Sequence, residues 1–335
     1  MPLPIFLRAS LRRCLLATVL LLPVVASAQT LCVWDPLGAQ GDAYGMMRDL
    51  AVQARSWGGN ITLKAYTDER IAAEDFKAGQ CDGALMTGLR ARQFNKFAGS
   101  IDSVGAIPGY SHLRDVIDLL ADPRLGNSLI TGPYEVAGVV PIGAGYFFVN
   151  DRRINNISKA AGKKIAVFDW DKSQEEMVRM VGAQPVAADV TTFAGKFNNG
   201  QVDIVVAPIY AYQAMELYKG LSRSGGIARY PVIQITLQLV IRKDAFPAGF
   251  GLKSREYVAR QVPRFFSLIR NTEYGVDAKY WMNVPLSDRG GYADIMRELR
   301  THLTKAGYYD PRMMALLKRV RCKREPADAE CAIKD

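Results

Sequence analysis

Histidine is almost missing from this chain: His112 and His302 are the only two. Neither lies near a cysteine, and no C-x-x-C pair occurs, which argues against a structural zinc site. There is no G-x-S-x-G, no H-E-x-x-H and no P-loop. Two isolated histidines offer no acid–base pair, so the sequence supports no enzyme. Long Lys/Arg blocks are also missing. The net charge of +10 comes from scattered residues, which reads as solvated surface, and no basic-aromatic pattern points to nucleic acid. After the first 28 residues no run of about 18 apolar residues could form a transmembrane helix. Internal repeats and low-complexity segments are absent as well.

The leader comes first among what is present. Arg8, Arg12 and Arg13 form a basic start, Cys14 to Ala26 is an apolar stretch, and Ala26-Ser27-Ala28 is an A-x-A cleavage site. This pattern predicts a signal peptide over 1–28 and a chain exported to the periplasm. Neither Cys14 nor Cys32 fits a lipoprotein cleavage site, so no lipid anchor is expected. Beyond the leader, four cysteines remain: Cys32, Cys81, Cys322 and Cys331. An even number in an exported chain implies two disulfides, with three pairings open. Cys32 starts the first predicted strand and Cys81 the third, while Cys322 and Cys331 flank a short Pro-containing loop. These placements favour 32–81 and 322–331.

Alternating strand and helix signals fill the body of the chain. Leu31 to Trp34, Ile61 to Tyr66 and Asp82 to Thr87 read as strands. Between them, Ala43, Met47, Leu50, Ala51, Ala54 and Trp57 repeat at helical spacing, and Glu69 to Lys77 reads as helix. This β-α-β-α-β order predicts a parallel sheet with ligands beyond the carboxyl ends of its strands. Tyr110 to Leu120 follows as helix and Tyr146 to Val149 as a strand leaving the first lobe. The stretch from Gly162 to Pro208 repeats the pattern, with strands at Ile165–Phe168, Pro185-Val186 and Val202–Ala207. A helix over Tyr212–Tyr218 and a long return strand over Val232–Ile241 come next. From Arg255 onward the periodicity is mainly helical.

Three phrases in the second lobe carry a resemblance. They are Gly162-Lys163-Lys164-Ile165-Ala166-Val167, Gly182-Ala183-Gln184-Pro185-Val186 and Gly200-Gln201-Val202-Asp203. They are similar to the GxKIRV, GAxPV and xGxVD of TRAP-transporter extracytoplasmic solute-binding proteins, best known for C4-dicarboxylates. The first lobe, through WDPLGAQGDAY and YTDERIAAEDFKAGQCDGA, resembles a narrower branch. Some members of that branch carry a label linking them to RND-type efflux and aminoglycoside resistance. A pump of that type needs many membrane spans, which this chain does not offer.

The resemblance implies an α/β, two-lobe periplasmic-binding-protein (flytrap) fold. It would have mostly parallel sheets, hinge strands and a helical C-terminal tail. The expected organisation is lobe I over 29–148 and lobe II over 149–233. The return strand and lobe I completion span 234–290, and C-terminal helices occupy 291–335. The implied function is capture of a small polar ligand by hinge closure, for membrane transporter subunits of the TRAP type. We expect a monomer without metal or cofactor. The alternatives are an accessory protein in drug tolerance, binding cationic antibiotics or an efflux complex, and a sensor-partner domain. A mostly acidic cleft would favour the first of these.

Candidate ligand residues sit at predicted strand ends. Asp169, Trp170 and Asp171 follow the strand Ile165–Phe168; Asp169 would accept hydrogen bonds and Trp170 would form a wall. Asp171 fits better as a helix N-cap with Gln174 three residues on. Asp35 precedes Pro36 and either meets ligand or shapes the turn. Tyr66, Glu69 and Arg70 lie beyond the second strand, with Thr87, Arg90 and Arg92 beyond the third. The family's carboxylate-clamping arginine would fall at position 166, where this chain has Ala166. Arg90 or Arg92 could replace it. Tyr210 or Tyr212 could stack on a ligand, and Gln238, polar within an apolar strand, could point into the cleft. With Ala166 in place of the clamp, Asp35 and Asp169 suggest a hydroxylated or amine-bearing ligand.

Overall fold

The computed structural model describes residues 28–333. The predicted signal peptide lies outside these residues, apart from Ala28. Eleven strands form one sheet: β1 (Gln29–Trp34), β2 (Ile61–Tyr66), β3 (Gly83–Thr87), β4 (Ile130–Thr131), β5 (Tyr134–Val149), β6 (Lys164–Phe168), β7 (Gln184–Ala188), β8 (Ile204–Pro208), β9 (Gly226–Ala228), β10 (Ile233–Arg242) and β11 (Trp281–Met282). Its main order is β2-β1-β3-β10-β5-β8-β6-β7. Parallel trios stand at both ends: β2-β1-β3 and β8-β6-β7. Between them run β10 and β5, antiparallel to each other and to their outer neighbours. We call the sheet on the β3 side the first half and that on the β8 side the second.

Two elements differ from their expected extent. The strand expected at Tyr146–Val149 begins at Tyr134 and runs 16 residues. Pro141 and three glycines interrupt its apolar pattern, so only its end reads as strand in isolation. The helix expected over Tyr212–Tyr218 is two short turns, Ala211–Ala214 and Tyr218–Leu221. Glu216, with φ of 55°, breaks the spiral between them, and the bend lets Leu217 become fully buried.

The long strands have a marked irregularity where the halves meet. Register between β5 and β10 shifts between Ile235 and Thr236, opposite Gly143 and Pro141. Ile142 is therefore the extra residue of a β-bulge. Gly143 has φ of +113°, a conformation closed to ordinary side chains. The helix Phe250–Tyr274 lies along β5. Near its C-terminus, Glu273 accepts hydrogen bonds from Tyr110 and Tyr146.

The tail ties both halves together. Helix Leu286–Lys305 packs on Lys172–Met180, and helix Pro311–Arg324 packs on Tyr110–Leu120. Among the described residues, Cys32–Cys81 links the middle of β1 to the turn before β3 across 49 positions, and Cys322–Cys331 closes a loop of 9. Among the described residues no helix is long and apolar enough to cross a membrane.

Candidate functional site

A cavity of about 150 Å³ lies between the two halves, directly over the bulge. The first half supplies Trp34, Met46, Thr87 and Leu89, and the second supplies Ala166, Phe168, Phe193 and Tyr210. Pro141, Ile142, Ile233 and Ile235 of the long strands make the floor, and Phe265, Leu268 and Ile269 of the long helix close one side. Among the described residues no arginine, lysine or histidine lines it, and its one acid, Asp42, is exposed.

Of the predicted ligand residues, Thr87 and Tyr210 reach this cavity. Thr87 caps a short helix by accepting the Arg90 N–H. Tyr210 crosses between halves, its Oη 3.5 Å from Asp35; burial, then the charges of Asp35 and Asp42, raise its pKa.

The others have work elsewhere. Asp35 is fully buried and accepts the N–H groups of Leu37, Ala43 and Tyr44, so it shapes the turn into the first helix. Tyr66 donates to Asp75. Arg70 is exposed beside Asp68. Asp169 is exposed on the surface. Gln238, expected to face the cleft, is fully buried and donates to the Ala98 carbonyl. Tyr212 packs against Tyr218 and Tyr280 inside the second half.

Arg90 and Arg92, the candidate replacements for the clamp, form a contact between halves. Glu69 accepts from Arg90 Nε at 2.9 Å, and the Arg90 guanidinium lies 4.1 Å from the Trp170 ring centre. That ring stacks on Phe168 in turn. Arg92 donates to the carbonyls of Gly99 and Asp102. Its Nη1 is 3.7 Å from Asp171 Oδ1, too long for a hydrogen bond but close enough for charge attraction. Both side chains are nearly water-free, at 7% and 0% exposed. Burial opposes the Arg92 charge, but Asp171, Tyr309 and Tyr308 outweigh it and hold its pKa above the ordinary value.

Asp171 does three tasks at once. It caps the helix Lys172–Met180 by accepting the Ser173 N–H. Gln174 donates to it, while Gln174 Oε1 accepts the Phe168 N–H. Tyr308, on the connector between the tail helices, donates to it at 2.6 Å. The cap was legible from the D-x-x-Q spacing; the contacts with Arg92 and Tyr308 were not, because both partners are distant in sequence.

Beneath Arg92 sits Asp102. It is fully buried and accepts from the Thr236 N–H and hydroxyl. A Cβ on Gly88 would lie 2.6 Å from its carboxylate, so this close approach needs glycine. Burial pushes the Asp102 carboxyl up to about 7, against the Thr236 hydrogen bonds and the Arg92 charge; Asp171 adds to the rise. Folded Asp102 thus keeps a proton that the unfolded chain releases near its ordinary 3.8. Its stabilising contribution is complete below that value and is lost as pH rises through about 7. Asp102→Asn is expected to flatten this part of the stability profile. Thermal unfolding across that pH range checks it; an unchanged slope would assign the effect to other groups.

The cavity-lining aliphatic residues escaped sequence reading. Ile142, Ile235 and Ile269 look like any core residue in sequence; the signal that could have marked the place is the Pro141-Ile142-Gly143 break in an apolar run.

A sheet in which two long antiparallel strands join two parallel trios, with a cavity over their bulge, defines a periplasmic-type solute-binding fold. Solved structures agree. A TRAP periplasmic solute-binding protein from Desulfovibrio salexigens, with bound orotic acid, superposes with a TM-score of 0.68 at 16% identity, covering 88% of this chain and 99% of that one. One from Ralstonia eutropha H16, with bound (S)-2-acetolactate, gives 0.72 at 13%, covering 89% and 99%. The chain belongs to the family described as solute-binding protein AdeT 1/2, whose sequence profile matches residues 47–335. It is 51% identical over 303 residues to the probable solute-binding protein AdeT1 of Acinetobacter baumannii, covering 90% of this chain and all of that one. This is a family of solute-binding proteins and not of enzymes.

Proposed function

We propose that the protein captures a small solute in the periplasm by closing its two halves. The closed form would then be presented to a TRAP-type membrane transporter. The observation that carries this reading is the position of the cavity. Its floor includes Pro141 and the bulged Ile142, and contacts between halves, Arg90–Trp170 and Arg92–Asp171, hold another edge. A hinge on one side and breakable contacts on the other are what closure around a ligand needs. Residues 29–148 and 149–233 would then act as lobes, with 234–290 completing the first and the 291–335 tail clasping both.

Ligand binding would shift the population from open to closed. The transporter would be selected by the shape of the closed form. The expected ligand chemistry changes, because Asp35 and Asp169 lie away from the cavity wall. One exposed acid, Asp42, in an otherwise apolar wall falls short of the mostly acidic cleft that would favour the drug-tolerance alternative.

The test is native mass spectrometry of protein purified from periplasm, paired with small-angle scattering before and after ligand removal. A bound small molecule, and a larger radius of gyration once it is removed, are expected. A scattering profile that never changes with ligand would sink the closure mechanism.

A further inference from the structure

We infer that the captured solute is uncharged and largely apolar, of the size of one ring or a short branched chain. This rests on the capture reading above and names the ligand class for the same cavity. Volume comes first. About 150 Å³ is the size of an engineered aliphatic cavity that takes benzene, so a ligand of roughly six to ten non-hydrogen atoms fits. The wall comes second: Ile142, Ile235, Ile269, Leu268, Phe168 and Phe193 surround that space.

The polar groups at the wall are the third observation. Ser173 and Gln174 spend their side chains on Asp171 and on the Phe168 N–H. Thr272 donates to the Leu268 carbonyl. Several buried side-chain polar atoms of the protein lack a partner, but none of them belongs to a residue lining this cavity, among the described residues. Arg90 and Arg92, the cations nearest in the chain to Thr87 at its wall, are held by Glu69, Trp170 and Asp171. A carboxylate entering here would give up its water, gain no cation and face Asp42, the wall's one acid; that exposed acid, bathed in water, gives a cation little in return for its own hydration. One hydroxyl can be met, because Tyr210 reaches Asp35 only at 3.5 Å and keeps capacity for another partner.

The experiment compares benzyl alcohol with benzoate, two molecules sharing a ring and differing in charge. Both are titrated by calorimetry into ligand-free protein at neutral pH, with scattering to follow closure. Benzyl alcohol is expected to bind about 100-fold more tightly, the difference set by the uncompensated charge. Ala166→Arg is expected to invert the preference by placing a cation in the wall. Ala166→Phe, which fills the space, is expected to lose benzyl alcohol while still unfolding cooperatively. Benzoate binding as well as benzyl alcohol in the unaltered protein overturns the ligand class. If that benzoate also closes the protein, capture by closure still stands. Failure of both molecules to bind overturns the ligand class as well, and leaves the capture reading to the co-purified solute.

Discussion

Asp171→Asn is expected to leave the fold intact and to open it. Asparagine caps helices as well as aspartate does, so the start of Lys172–Met180 should survive. The amide oxygen can still accept from Ser173 and Tyr308. What disappears is the negative charge opposite Arg92, together with the second oxygen that accepts from Gln174 Nε2. In the closed form that arginine would then be buried without its counter-ion, which costs about 3–5 kcal/mol. In the open form water can reach it and the cost vanishes. The closed-to-open ratio should fall by a factor on the order of 10² to 10⁴, and ligand affinity should fall with it. Small-angle scattering should show a larger radius of gyration, with the melting transition still cooperative. An unchanged profile and unchanged affinity would mean that the Arg92–Asp171 contact does not hold the halves together.

The second large effect concerns Cys32 and Cys81. Replacing both with serine should lower stability by about 4 kcal/mol, because their bond constrains 49 positions in the unfolded chain. The Cys322–Cys331 bond spans 9 positions and should contribute about 2–3 kcal/mol on the same reasoning. Thermal unfolding of the two double-serine variants measures both. The first should melt roughly 5–10 °C below the parent, and the second should be less affected. The opposite order would show that strain or residual structure outweighs loop length. Both bonds lie away from the cavity wall, so ligand preference should be unchanged in either variant.

These two predictions differ in how much of their basis was legible in the sequence. The disulfides could be argued from strand order, since Cys32 and Cys81 stand at the predicted starts of neighbouring strands. Likewise the cap at Asp171 followed from its spacing to Gln174. The charge contact could not be foreseen, because Arg92 and Asp171 come from different halves and meet only when those halves pack. Most candidate ligand residues stand away from the cavity for a related reason. Polar residues at strand ends were natural candidates, yet Asp35 was taken by three backbone N–H groups and Gln238 by the Ala98 carbonyl. A buried polar group must find partners, and the nearest ones were main chain.

Local chemistry decided the elements. Apolar runs of strand length, helical spacing after Asp42 and Asp68, and glycines at helix ends act over a few residues, so β1, β2, the Glu69–Lys77 helix and the Tyr110–Leu120 helix stood where periodicity put them. Ala166 was equally plain, as was the clamp it leaves out. Only the tertiary structure decided that the two parallel trios share one sheet through β5 and β10. It alone turned Ile142, Ile235 and Ile269 into a cavity wall and not a filled core. An isoleucine facing a space and an isoleucine facing a neighbour have the same side chain; which one it becomes depends on where the opposite half comes to rest.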